Sequence, residues 1–327
     1  MSKSSTRPCP ACGSGDSKGK WSLQDRIFRA AAGLFSYREC DICGTLFIDP
    51  LPSPETIRTF YPPGYWWEET PRERSLSYRL ASAYRQWVIR DHLRFLRGLP
   101  RQDSHHGRLL DVGCGSGTFL CEARRVGYEV SGLDLSPEAV NLLKAHGIKA
   151  YTGSLSENSL GQQTFEVITL FHVLEHLADP LNDLRLLLRH LAPGGDLVIQ
   201  VPNRSSMQAR VLSRRWYGLD PPRHLTQFSR GGLLRLIQRA GLRPGRIFSF
   251  SLRDNAPAIV SSLFPGLDPK ARAVRNRRAG NHSNSLTEGG LFGLYFALVV
   301  LATPLALFEA AIAAGGTLCL RASKIAP

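Results

Sequence analysis

No apolar run follows the charges of the opening stretch MSKSSTRPCPACGSG, so the N-terminus does not read as a secretory signal. The expected setting is therefore a reducing compartment, where the seven cysteines serve as metal ligands or buried thiols rather than disulfides. Glutamate is missing from residues 201–280, where sixteen Lys/Arg face three Asp, a local balance of +13 within a whole-chain charge of +14. Such a block predicts an anionic partner: phospholipid, nucleic acid, or a phosphorylated or acidic ligand. Interleaved aromatics are lacking there too, which disfavours nucleic acid and leaves an anionic membrane surface as the expected partner. Charge is absent altogether from GGLFGLYFALVVLATPLALF (residues 289–308), a run long enough to cross a bilayer as a helix. Arg272, Arg275, Arg277 and Arg278 precede this run, and Arg321 and Lys324 follow it. Pro304 and the pair Gly315-Gly316 suit a bent or re-entrant hairpin as readily as a straight span, and a buried core helix is the plain alternative. With the arginine block beside it, docking at the cytoplasmic face of a membrane is the expectation.

At 327 residues and 43% apolar composition, the chain has room for one large core and smaller attachments. Two Cys-x-x-Cys knuckles, Cys9/Cys12 and Cys40/Cys43, are each followed by glycine. Four thiolates so paired can surround Zn²⁺ tetrahedrally, so residues 1–49 read as a small zinc ribbon with a structural site. Residues 50–105 hold a proline- and aromatic-rich linker and an amphipathic helical pattern over 75–99, and PRQDSHHG marks a boundary near 105. From 106 to 255 short apolar runs alternate with helical patterns: RLLDV, YEVSGLDL, IKAYTG, FEVITLF and DLVIQVPN are expected strands. DPLNDLRLLLRHLAPGG is expected as a helix, and Ser136 and Ser229 as helix caps. This rhythm predicts an α/β fold, a parallel sheet covered by helices on both faces. Residues 256–314 form a basic and apolar insertion, after which 315–324 supply a closing strand.

LLDVGCGSGTFL (residues 109–120) carries the chemistry. A strand runs into Asp111, then Gly113, Gly115 and Gly117, then a helix whose first N–H groups are free for a ligand. A phosphate-cradling loop needs Gly-Lys-Ser/Thr, which is missing. A dinucleotide loop needs its third glycine one residue later, where Thr118 stands. Asp-x-Gly-x-Gly-x-Gly, followed by Asp134 closing the next strand, resembles class I S-adenosylmethionine-dependent methyltransferases. FEVITLFHVLEHLADP and LAPGGDLVIQVPN extend the likeness, which spans 106–255 and the last strand. The paired knuckles followed by CGTLFIDPLPSPETIRTFY resemble a bacterial subset with a zinc ribbon before the methyltransferase domain. The resemblance implies a Rossmann-like seven-stranded sheet and S-adenosylmethionine as cofactor. It also implies that Asp111, Gly113, Cys114, Gly115 and Gly117 hold the methionine moiety and that Asp134, beside Leu135, accepts the ribose hydroxyls. Ser154 and Leu155 stand where the family contacts adenine, with Ser154 replacing the usual acid. Phe171 and His172 would face the cofactor near its reacting methyl.

Methyl transfer from a sulfonium chiefly needs alignment, with a base wanted when the acceptor is a hydroxyl or ammonium. Candidate catalytic residues are His176 and Glu175 in FHVLEH and His224 in DPPRHLTQFS. Small-RNA and quinone-pathway members of the class use an ExxEH-like segment and a later histidine to hold a divalent metal, and His172 stands here where that pattern has Glu. The leading expectation is methylation of an O- or N-nucleophile of a small-molecule or lipid-linked acceptor at the membrane surface. Alternatives are an RNA methyltransferase and, since FHVLEH contains His-x-x-Glu-His, a zinc hydrolase, which would need those residues on one helix.

Overall fold

The computed structural model describes residues 7–61, 88–97, 107–157, 159–280 and 285–324. The amphipathic helix expected over 75–99 and the boundary near 105 fall mostly outside these residues. The described end of that helix is helical at 88–90 and closes in a 3-10 turn, Asp91–Leu96.

Strands β1 (Ser17–Leu23), β2 (Phe35–Cys40) and β3 (Leu46–Ile48) pair antiparallel behind the two cysteine knuckles, and Ser53 caps the short helix α1 (Pro54–Thr59). The main sheet opens with β4 (Arg108–Val112), α2 (Thr118–Arg125), β5 (Glu129–Asp134), α3 (Pro137–Ala145) and β6 (Lys149–Thr152). It continues through β7 (Phe165–Phe171), α4 (Pro180–His190) and β8 (Leu191–Pro202). Helix α4 stops earlier than its pattern suggests, because Pro193 has no N–H to donate and Gly194 turns to φ +73°; Leu191–Gly195 already belong to β8. Helix α5 (Met207–Leu212), the two-residue β9 (Thr226–Gln227), α6 (Arg230–Arg239) and β10 (Leu242–Phe248) follow. Three helices, α7 (Asn255–Leu263), α8 (Pro269–Arg278) and α9 (Ser285–Ala311), then precede β11 (Thr317–Lys324). Ser136 caps α3 with Pro137 at its first position, and Ser229 caps α6, as their sequences predict.

The seven-stranded sheet runs β10-β11-β8-β7-β4-β5-β6, with β4 to β8 mutually parallel and β11 antiparallel to both neighbours. Alternation along each strand sorts the core into two layers. Leu110, Ile168 and Leu197 join α4 and α6 on one face, while Leu109, Val167 and Val198 join α2 and α3 on the other. Strand β11 begins at Thr317, two residues after the expected start. Gly315 and Gly316 serve instead as a close crossing: a Cβ on Gly315 would lie 1.9 Å from the Ser249 carbonyl oxygen. The apolar run is neither a hairpin nor a core helix. It is one continuous helix containing Pro304, with mean hydropathy 2.3 over its most apolar window and 11% of that window buried.

Strand β9 is the unexpected joint. It pairs with β3, so the N-terminal sheet takes its fourth strand from the segment just after His224. Arg239 donates to the Ala11 carbonyl at 2.9 Å, the Ser229 hydroxyl donates to the Cys43 carbonyl, and Arg204 pairs with Glu39 at 3.0 Å.

Candidate active site

The glycine loop lies at the C-terminal ends of β4 and β5, where ligands settle in open α/β sheets. Gly113, Gly115 and Gly117 have φ of +68°, +51° and +71°, a region that side chains disfavour. A Cβ at Gly113 would come 2.5 Å from Val173 Cγ2, whereas one at Gly115 would meet nothing within 4 Å. The loop is thus pressed onto the chain after β7 at one end and open in its middle. Gly117 is the cap of α2 and offers no side chain, so the first N–H groups of that helix stay available to a ligand.

Asp134 binds the loop rather than standing apart from it. One oxygen accepts the Gly115 N–H at 2.8 Å and the other the Ser136 N–H at 2.9 Å, leaving each a second lone pair. Asp111 is buried behind, where Thr169 Oγ1 donates to it at 2.6 Å; burial pushes its carboxyl up to about 7 against that hydrogen bond. Cys114 is buried behind the loop, and Leu135 is exposed at the rim. Ser154 carries no acid, but Glu157 reaches back to accept its N–H at 2.7 Å, beside half-buried Leu155.

Beyond the loop, FHVLEH is a strand end, a kink and a single turn. Strand β7 stops at Phe171, His172 turns to φ +59°, and Leu174–His176 make one 3-10 turn. A zinc hydrolase would need these residues inside an α-helix, so that reading is overturned. Phe171 stacks on His92, with centroids 4.5 Å apart and planes at 10°, and meets Phe119 edge-on. His172 is held between two carboxylates, with Nδ1 3.2 Å from Glu175 Oε1 and Nε2 3.2 Å from Asp254 Oδ2. Burial opposes charge on the ring, but Asp254 and Glu175 outweigh it and raise His172 to about 9, so it is an imidazolium near neutral pH.

His176 and His224 meet edge to face at 4.6 Å. His176 Nδ1 lies 3.0 Å from the Arg223 carbonyl, and His224 Nδ1 lies 2.8 Å from the Gly218 carbonyl. A carbonyl only accepts, so both Nδ1 atoms carry a proton, and burial pushes His176 down to about 4, so its Nε2 presents a lone pair near neutral pH. Tyr61 Oη also approaches His176 Nδ1 at 3.0 Å. Glu175 is fully buried, and its Oε2 has no hydrogen-bond partner among the described residues. One ligand atom each from Glu175, His176 and His224 falls within 4.8 Å of the others. The structure thus brings together the three expected catalytic residues and joins His172, with Asp254, to them through Glu175.

Four further residues shape the site without a signal in the sequence. Asp254 fixes His172 and in turn accepts from Gln200 Nε2 at 2.5 Å. Arg223 is fully buried between Asp25 (2.8 Å) and Asp220 (2.6 Å), and its own carbonyl orients His176. His92 is fully buried, and neither ring nitrogen has a partner among the described residues. At the far end, Cys9 and Cys43 Sγ lie 3.7 Å apart and Cys12 and Cys40 Sγ 3.5 Å apart, with all four sulfurs within 4.8 Å. Those separations match the ~3.8 Å edge of a tetrahedron with ~2.3 Å metal–sulfur bonds.

A family model described as a methyltransferase domain matches residues 77–244, half of the chain. The chain belongs to the class I S-adenosylmethionine-dependent methyltransferases. The methyltransferase resembles a ubiquinone biosynthesis O-methyltransferase of Xanthomonas oryzae pv. oryzae (strain PXO99A), 36% identical over 112 residues that cover 32% of this chain and 47% of that one. Another protein of that description, from Cereibacter sphaeroides, is 31% identical over 149 residues, covering 42% and 60%. The methyltransferase thus spans about half the length of the curated relatives it matches. Among solved structures, a SAM-dependent methyltransferase from Archaeoglobus fulgidus superposes with TM-score 0.44 at 17% identity, covering 76% of this chain and all of that one.

Proposed function

We propose that the chain transfers the methyl group of S-adenosylmethionine to a hydroxyl of a small-molecule or lipid-linked acceptor at a membrane surface. The observation that carries this reading is the buried cluster in which one ligand atom each of Glu175, His176 and His224 lies within 4.8 Å of the others, while Glu175 Oε2 has no hydrogen-bond partner among the described residues. A hydroxyl entering there supplies the missing donor, and the relatives' printed name, O-methyltransferase, points the same way. In this reading, the Gly113–Gly117 loop and Asp111 hold the methionine end of the cofactor, with Cys114 behind them. Asp134 and Leu135 bound the ribose, and Ser154 and Leu155 the adenine. His172 and Phe171 wall the methyl, His172 fixed as a cation by Asp254. The bonds that change are S–CH₃, which breaks, and O–CH₃, which forms in line; His176 or His224 takes the hydroxyl proton at Nε2, and Glu175 steadies the resulting charge.

A second reading rests on the same cluster. The two nitrogens and one carboxylate oxygen fit a divalent metal of zinc type, as the narrower ExxEH likeness implies, and such an ion would lower the pKa of the acceptor hydroxyl. The four cysteines fit a structural Zn²⁺ on their separations alone. Metal analysis divides the cases: about one zinc per chain for the ribbon alone, a second ion lost in His176→Ala for the metal-assisted site.

Support for the membrane comes from α9. Its two charges are turned into the protein, Glu288 onto Arg272 at 2.9 Å and Glu309 onto Gln208 at 2.9 Å, while Leu301, Val300 and Phe308 are exposed. The stripe Tyr295, Leu298, Val299, Ala302 and Ala306 packs against α7. Titration with S-adenosylmethionine and Asp134→Ala tests the cofactor reading, and undiminished binding by the variant ends it. Methyl-labelled cofactor with a membrane extract tests the acceptor: label is expected in the organic phase, and label confined to water-soluble products ends the lipid-linked version.

A further inference from the structure

A cleft of about 640 Å³ lies on the ribbon side of Arg223, lined by Arg26, Arg29, Arg214 and Arg215, with Trp216 and Asp25 among its walls. A smaller hollow of about 290 Å³ shares Arg29 and adds Arg278. Among the described residues, Arg26, Arg29, Arg214 and Arg215 pair with no carboxylate. Arg26 spends its donors on the carbonyls of Arg215 and Ser262, so its charge is left uncompensated. The two acids that line the cleft, Asp25 and Asp220, are already bound to Arg223, and Asp25 also accepts the N–H groups of Phe28, Ala30 and Ala31. Counting that triad at −1, the lining keeps a formal balance of about +3. Arg29 and Ser213 flank the cleft at φ +52° and +50°, a costly conformation for side-chain-bearing residues.

The same cleft is braced to the apolar helix. Arg26 reaches the carbonyl of Ser262 in α7, Arg275 of α8 donates to the Ile27 carbonyl at 2.7 Å, and Arg272 of α8 holds Glu288 of α9. A guanidinium cluster of this kind matches the bidentate geometry of phosphate oxygens. We propose that the arginine cleft takes the phosphate of an anionic phospholipid while the exposed face of α9 lies against the acyl chains. The proposal rests on the membrane reading above and adds to it a headgroup site that has Asp25 and Asp220 among its walls.

The test uses the full chain and sedimentation with two kinds of vesicle, phosphatidylcholine alone and phosphatidylcholine containing phosphatidylglycerol. Wild type is expected to bind the anionic vesicles more tightly. The variant Arg26→Gln/Arg214→Gln/Arg215→Gln should lose about a hundredfold of that affinity while keeping its binding to neutral vesicles and to S-adenosylmethionine. The triple Arg→Lys variant should retain most of the anionic preference, which separates lost charge from a damaged fold. Leu301→Ser/Phe308→Ser should instead weaken binding to both vesicles. Binding of wild type to neither vesicle overturns the membrane reading and this one together. Equal binding of wild type to the two vesicles, or an unchanged anionic preference in the glutamine variant, overturns the cleft alone. A calorimetric titration with inorganic pyrophosphate closes the test: binding lost in the glutamine variant, with vesicle binding unaffected, makes this a site for soluble phosphates and overturns the lipid assignment.

Discussion

The two halves of the site are built in opposite ways. On the glycine-loop side, strand, glycine loop, helix and acid follow one another within a single β-α-β unit, Leu109 to Asp134. The contacts there are backbone ones: Asp134 binds the Gly115 and Ser136 amides, and the glycines supply conformations that no other residue adopts cheaply. On the histidine side, His172 needs Asp254, His176 needs the Arg223 carbonyl, and Arg223 needs Asp25, each a partner from a distant part of the chain. A local unit can be read and can fail locally. An assembled one fails whenever any of its remote supports is removed.

Five variants probe that contrast. The largest effect is expected from Cys9→Ser with Cys40→Ser: zinc content should fall from about one per chain to none, with a stability loss of several kcal/mol by thermal denaturation. If the histidine side leans on the cysteine unit, His176 and His224 should become mobile by NMR in the same variant; unaltered spectra would mean the halves are independent. Next comes Arg223→Met, which leaves Asp25 and Asp220 buried without their cation. It should cost roughly 3–5 kcal/mol in denaturant unfolding, far more than an exposed arginine would. Gly113→Ala should weaken S-adenosylmethionine binding at least about tenfold, because it combines a positive φ with a contact at 2.5 Å to Val173. Gly115→Ala, with open space at its Cβ, should cost less, and equal losses would refute the steric part of the argument.

The smallest effect concerns His92. Burial depresses its imidazole to about 3, below the ordinary ~6.5 of the unfolded chain, so the unfolded state binds the extra proton. Stability should therefore fall as pH drops below ~6.5, by about 1 kcal/mol at pH 5.5, and keep falling toward pH 3. His92→Phe should keep the stack on Phe171 and remove that part of the acid sensitivity; an identical pH profile would show that other groups carry it.

How much could be read beforehand follows from the same contrast. Strands β4 to β8 and β11, the caps Ser136 and Ser229, and the glycine loop were legible because periodicity, capping and positive φ leave marks within a few residues. The cysteine knuckles were legible because four ligands must come in pairs. Helix α4 was overextended because an apolar run ending in LAPGG can continue as strand, and only Pro193 and Gly194 mark the change. The roles of Asp254, Arg223 and His92 left no mark: a buried ion pair depends on which distant segments meet, and no local pattern records that. His176, Glu175 and His224 were expected near one another, but not the ring orientations, which two backbone carbonyls set.

Strand β9 has only two residues, yet it alters what the N-terminal unit is. Leu46, Phe47 and Ile48 are completely enclosed once Thr226 and Gln227 lie beside them. During synthesis this edge is made early and stays open until the far later segment emerges, a template for any passing strand in the meantime. Loading of metal by the knuckles would hold the early piece in shape through that interval. The ribbon is then less a separable domain than a docking board, set out first so that the loop bearing His224 arrives at a surface already waiting for it.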